Sequence, residues 1–119
     1  MRQDILISGY QEELLRRAAK RRVAYLVDEF YDGGGFMRNE SKESVYRMIA
    51  PVLFKRLYSE VPSGGHLGRR LRDTKEDDYL AAIREISDWR PKCGMTGIAN
   101  YAWSKLGGEQ RLFGLKEAW

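Results

Sequence analysis

The sequence predicts a mainly α-helical, compact bundle of four to five helices joined by glycine-rich loops, in a single domain over residues 1–119. Three observations predict it: apolar residues recur at helical spacing in four separate stretches, glycines cluster between those stretches, and only residues 4–10 have strand character, with no sheet to join. A length of 119 residues suits one hydrophobic core and is short for two. Residues 1–10 are expected to form a flexible or short extended segment.

From residue 11 to residue 31, Leu15, Ala19, Val23, Leu26 and Phe30 fall on one stripe at the helical period, which predicts the first helix. Its end is expected at residues 32–35, where Gly33, Gly34 and Gly35 favour chain reversal. A second helix is expected to open near Asn39 or Ser41, both competent N-caps, with Val45, Met48, Ile49, Val52 and Leu53 on one face toward Tyr58. Pro51 lies inside it, so the helix is expected to be kinked there or divided, with Pro51 opening a second half.

Residues 61–68 read as a loop, since Pro62, Ser63, Gly64, Gly65 and Gly68 all break or turn the chain. Asp73 is expected to cap the third helix, with Glu76 reaching back in a capping box and Tyr79, Leu80, Ile83 and Ile86 as the buried stripe. Residues 91–94 should end it. Thr96 is the expected cap of a fourth helix that buries Ile98, Ala102 and Leu106 and stops at Gly107 and Gly108. A short fifth helix is expected over residues 109–119.

Composition narrows the functional classes. The lone Cys93 has no internal disulfide partner, and with His66 as the only histidine the chain lacks a Cys/His zinc set, so neither a metal site nor a cofactor is expected. The longest apolar runs, such as residues 23–27, fall far short of the roughly 20 residues that span a membrane. The first residues carry Asp4 and lack the apolar core of a secretory signal, so a cytoplasmic location without a membrane partner is expected. A net charge of +4 and a pI near 9.3 favour nucleic acid or an acidic protein surface without requiring either.

Two basic segments stand out. Arg16, Arg17, Lys20, Arg21 and Arg22 occupy consecutive turns of the first helix and could track phosphates. The plainer reading is a solvated helix face, because Glu12 precedes Arg16, and Glu13 precedes Arg17, by the favourable four-residue spacing. The second segment, residues 63–72, combines Gly64, Gly65 and Gly68 with His66, Arg69, Arg70 and Arg72, a composition suited to anions. It lacks the Lys-Ser/Thr ending of a nucleotide-binding P-loop, and a flexible basic loop accounts for it equally.

The acidic group Asp73, Glu76, Asp77 and Asp78 reads as a stabilised helix N-terminus in preference to a metal site. Cys93 beside Arg90 and Lys92 could be an activated thiol, and His66 a base, but no motif joins them to an oxyanion site. Among the aromatic residues of the last third, Trp103 falls about 140° from Ile98 on a helical wheel and Trp119 is terminal, making both candidate interface anchors.

The expected function is a non-catalytic binding module that engages nucleic acid or a nucleoprotein assembly through its basic surface. The alternative is a small protein-binding inhibitor or adaptor, of the kind encoded by mobile elements, that blocks a partner's functional surface; the plentiful Tyr, Trp and Arg fit it. A third reading is an enzyme using Cys93 or His66. The helices are separated by long glycine-containing connections, which argues against a helix-turn-helix. Whether the two basic segments share one face depends on the fold.

Overall fold

A computed structural model of the chain describes residues 5–34 and 40–105. Ser8 starts the first helix, α1 (Gly9–Asp32): its hydroxyl accepts the Gln11 N–H at 3.1 Å, and its own N–H donates to Gln11 Oε1 at 3.0 Å. This capping box begins the helix ahead of the periodic stripe, and such a cap contributes about 1 kcal/mol. Leu15, Ala19, Val23, Leu26 and Val27 are buried, while Phe30 is only half-buried.

The second helix, α2 (Lys42–Glu60), opens on Ser41, whose hydroxyl accepts the Ser44 N–H at 3.1 Å; the other expected cap, Asn39, lies outside the described residues. The two helices are antiparallel. Lys42, at the start of α2, reaches Asp32 at 3.2 Å and Asp28 at 3.8 Å near the end of α1, and Arg16 lies close enough to Tyr58 to influence its hydroxyl. Pro51 does not divide α2, which runs through it as one helix. The proline is exposed, so the bond its missing N–H forfeits lies on the wet side, while Val45, Ile49, Ala50, Leu53 and Leu57 hold the other side in the core.

The segment expected to be a loop is more ordered in detail. It contains a 3-10 turn, Val61–Gly64, closed by Gly65 in a left-handed conformation (φ 94°), and it buries Val61 and Leu67. A second 3-10 turn, Leu71–Asp73, follows, and then the chain extends through Thr74 and Lys75. Here it meets the N-terminal segment. Ile7 N–H donates to Thr74 O at 3.0 Å, Glu76 N–H donates to Ile5 O at 2.8 Å, and Leu6 forms an antiparallel bridge to Lys75. The expected extended character before Tyr10 thus finds a partner across the chain.

This pairing corrects the start of the third helix. Thr74 and Lys75 are held extended, so the helix cannot begin at Asp73; a 3-10 turn, Glu76–Asp78, leads into α3 (Tyr79–Asp88). Asp73 accepts from Arg70 Nε at 2.9 Å instead of capping, and α3 has no side-chain cap. The inward residues of α3 are Ala82 and Ile86, with Tyr79 and Ile83 half-buried, whereas Leu80, expected in the core, is 72% exposed. Leu80 sits about 120° around the helix from Ile86, outside the inward arc set by Ala82 and Ile86.

Because Ile5–Ile7 precede α1 and Thr74–Glu76 precede α3, the bridge places the starts of these two helices side by side. The far end of α3 is fastened to the middle of α1, where Arg22 Nε donates to Trp89 O at 2.7 Å. Hence α1 and α3 run parallel. Trp89 Nε1 and the Lys92 N–H both donate to Glu60 Oε1, at 3.2 and 3.0 Å, tying the end of α3 to the end of α2.

The fourth helix, α4 (Gly94–Lys105), starts two residues before the expected Thr96 cap and packs on α2. Ile98, Ala99 and Ala102 are buried; Leu106 and the expected fifth helix lie outside the described residues. One buried cluster draws on all four helices and on Ile7, Leu67 and Leu71. Among the described residues no helix is long and apolar enough to cross a membrane.

Gly68 marks the tightest point under this core. A Cβ there would lie 2.5 Å from Asp73 C and 2.7 Å from Thr74 N, and the Gly68 N–H donates at 3.0 Å to Oγ1 of the fully buried Thr74. Gly68→Ala is expected to cost about 1–3 kcal/mol by overpacking against backbone. Thr74→Val is expected to cost about 1–3 kcal/mol by leaving that N–H unpaired. Urea unfolding measures both; an alanine variant as stable as the parent would contradict the close packing.

Candidate functional site

Of the eleven positions singled out in the basic segments and aromatic anchors, ten lie among the described residues, and the fold disperses them. On α1, Arg16 is occupied by Glu12 at 3.0 Å and Glu13 at 3.3 Å, and Arg17 lies 3.5 Å from Glu13. Arg22 is a structural residue: besides its bond to Trp89 O it stacks its guanidinium 4.9 Å from the Tyr25 ring centroid. Lys20 and Arg21 form no ion pair with a described residue. The cationic run therefore reduces to Lys20, Arg21 and the exposed Arg17.

The second segment lies elsewhere. His66 Nδ1 is 3.0 Å from Glu85 Oε2, and Glu85 sits about 200° around α3 from Ile83, on the flank turned away from α1. Gly64 allows this contact, since a Cβ there would approach Glu85 Oε2 to 2.9 Å; Glu85 Oε1 is buried with no hydrogen-bond partner among the described residues. Arg70 is paired with Asp73, Arg72 is close enough to Asp73 to lower its pKa, and Arg69 forms no ion pair with a described residue. The fold does not bring His66 to the exposed cations of α1.

Trp103 is half-buried and packed against the core, so its ring is partly committed to the interior; Trp119 lies outside the described residues. Cys93 is exposed just before α4, beside Gly97, and no group of three or more metal-ligating side chains occurs among the described residues.

What the parallel helices do create is an open groove of about 380 Å³ between α1 and α3. Leu14, Ala18 and Tyr25 of α1 and Tyr79 and Ile83 of α3 supply its apolar lining, with Arg21, Arg22 and Ser87 toward the far end. An outer row on each bank continues the surface. On α1 it is Tyr10, Arg17 and Arg21; on α3 it is Leu80 and Arg84, all exposed. Tyr10 and Leu80 are 73% and 72% exposed, which makes the near end of both banks apolar. Arg84 forms no ion pair with a described residue, so both banks turn cationic in the same direction.

Sequence reading missed Tyr10, Tyr25, Leu80 and Arg84. The available signal was Leu80, an apolar residue flanking the inward arc of α3, together with the one-turn spacing of Tyr10 to Leu14 and of Leu80 to Arg84.

Comparison with protein-family models, with curated proteins and with solved structures finds no match to this chain.

Two ionic contacts carry shifted acid–base behaviour, Glu29 with Arg90 beside Tyr25 of the groove and His66 with Glu85 on the other flank of α3. Hydrogen bonds from Arg90, at 2.8 and 3.0 Å, and then from Tyr25 hold the Glu29 carboxyl down at about 2, against an ordinary 4.5. A depressed carboxyl contributes stability that is complete above its unfolded value and is lost as pH falls from about 4.5 toward about 2. His66 behaves oppositely, because its hydrogen bond to Glu85 raises its pKa above 6.5. That stabilisation is complete below 6.5 and disappears as pH rises through the raised value. An NMR titration of His66 is expected to have its midpoint above 6.5 and to move down in Glu85→Gln; an unchanged midpoint would contradict the pairing.

Proposed function

We propose that this protein is a non-catalytic binding module that docks a partner protein against the face formed by α1 and α3. The observation that carries the reading is the groove itself, an apolar floor of Leu14, Ala18, Tyr79 and Ile83 flanked by exposed Tyr10, Tyr25 and Leu80. Tyrosine and arginine around an apolar centre are the composition of protein-interface hot spots, and large exposed apolar side chains gathered on one face favour burial by a partner. Such a module acts as an adaptor or as an inhibitor that covers its partner's functional surface.

Electrostatics favour a protein over nucleic acid. Arg17, Arg21 and Arg84 are the exposed cations on the banks of the groove, and acids bracket them: Asp28 and Asp32 beyond one end of α1's basic run, Asp77 and Asp78 at the start of α3. A long polyanion laid along this face would meet those carboxylates, which lowers the counterion-release gain that drives phosphate binding. A short, locally matched partner avoids them.

Labelled single- and double-stranded DNA and RNA, titrated at two salt concentrations, separate the two macromolecular classes. The expected outcome is no salt-sensitive binding, together with nuclease-resistant protein adducts from a photo-crosslinker placed at Leu80 and none from one at Lys55 on α2. Salt-sensitive nucleic-acid binding that weakens in Lys20→Ala and Arg21→Ala would overturn the reading.

A further inference from the structure

We infer that the occupant of the α1–α3 groove is an amphipathic helix with an apolar ridge and acidic residues on both sides of it; this rests on the protein-docking reading above. Two parallel helices leave between them a concave track that a third helix fills, its ridge of side chains entering the valley. The lined stretch from Leu14 to Tyr25 is roughly 17 Å long, about three helical turns. The floor offers Leu14, Ala18, Tyr79 and Ile83 to the apolar ridge.

The two banks decide the rest. Arg21 stands above the α1 side and Arg84 above the α3 side, both exposed and without an ion pair among the described residues, and Arg17 is held only by Glu13 at 3.5 Å. A helix lying in the groove places its flanking residues opposite these cations. Carboxylates there gain a partner, whereas lysines or arginines face like charge on both sides. A second copy of the chain is a poorer occupant. Two α1 helices crossing antiparallel over Ala18 would set Arg17 of each near Arg21 of the other, juxtaposing like charges.

The test uses the full chain and three labelled, helix-stabilised peptides of about fourteen residues, or four turns. The first carries leucines at i, i+3, i+4 and i+7 with glutamates on both flanks; the second replaces the glutamates by lysines; the third keeps the glutamates and replaces the leucines by serines. Fluorescence anisotropy is expected to show binding of the first alone, weakening with salt. In an Arg21→Glu, Arg84→Glu double variant its affinity is expected to fall about tenfold, while the lysine peptide gains affinity. Both positions are exposed, and circular dichroism verifies that the variant remains helical. Equal or tighter binding of the lysine peptide to the parent protein, or no change on charge reversal, overturns the acidic occupant while leaving a protein-docking groove. Binding of the serine peptide as tightly as the leucine peptide overturns both, as does binding of no peptide by a protein that binds nucleic acid. Failure of all three peptides without nucleic-acid binding overturns the helical occupant.

Discussion

The arrangement depends on a short backbone pairing. The Ile7 and Glu76 N–H groups donate to the Thr74 and Ile5 carbonyls respectively, and these two contacts, outside the α-helices, bring the start of α3 beside the start of α1. Without them the long connection after α2 would leave the direction of α3 open, since its helical core contribution is only Ala82 and Ile86, with Tyr79 and Ile83 half-buried. Gly68 and Thr74 make the pairing rigid from below: the glycine admits the Thr74 backbone, and the buried threonine hydroxyl accepts the glycine's N–H. Arg22 then fixes the other end of α3 through the Trp89 carbonyl.

From that constraint follows the surface. Parallel helices bring residues one turn apart on each helix into matching order, so Tyr10 and Leu80 lie at one end and Arg21 and Arg84 farther along. An antiparallel α3 would have opposed apolar and cationic ends and given a patchwork. The direction of α3, more than any single side chain, sets the chemistry that the groove presents.

Much of the helical architecture was legible in the sequence because it is local. Leu15, Ala19, Val23 and Leu26 announce α1 by spacing alone, Ser41 is read as a cap, and the pairings of Glu12 with Arg16 and Glu13 with Arg17 follow from the four-residue rule. What escaped is non-local. The Asp73–Glu76 pattern resembles a capping box, but Thr74 and Lys75 are claimed by a strand-like partner from the other end of the chain, and no local rule anticipates that competition. Arg22 looks like one more surface cation until its acceptor, a carbonyl 67 residues away, is known. The groove was illegible for the same reason: its two banks are each unremarkable amphipathic faces, and only their parallel juxtaposition makes a site.

The most direct measurement is amide hydrogen exchange at Ile7 and Glu76. Neither amide lies within an α-helix, and an unpaired amide in such a position exchanges at the rate of a free chain. If the pairing aligns α1 and α3, both amides exchange as slowly as those of the buried helical core, and Gly68 with them. Exchange of Ile7 and Glu76 at the free-chain rate while α1 and α3 stay protected would contradict the claim that this tether sets the two helices parallel.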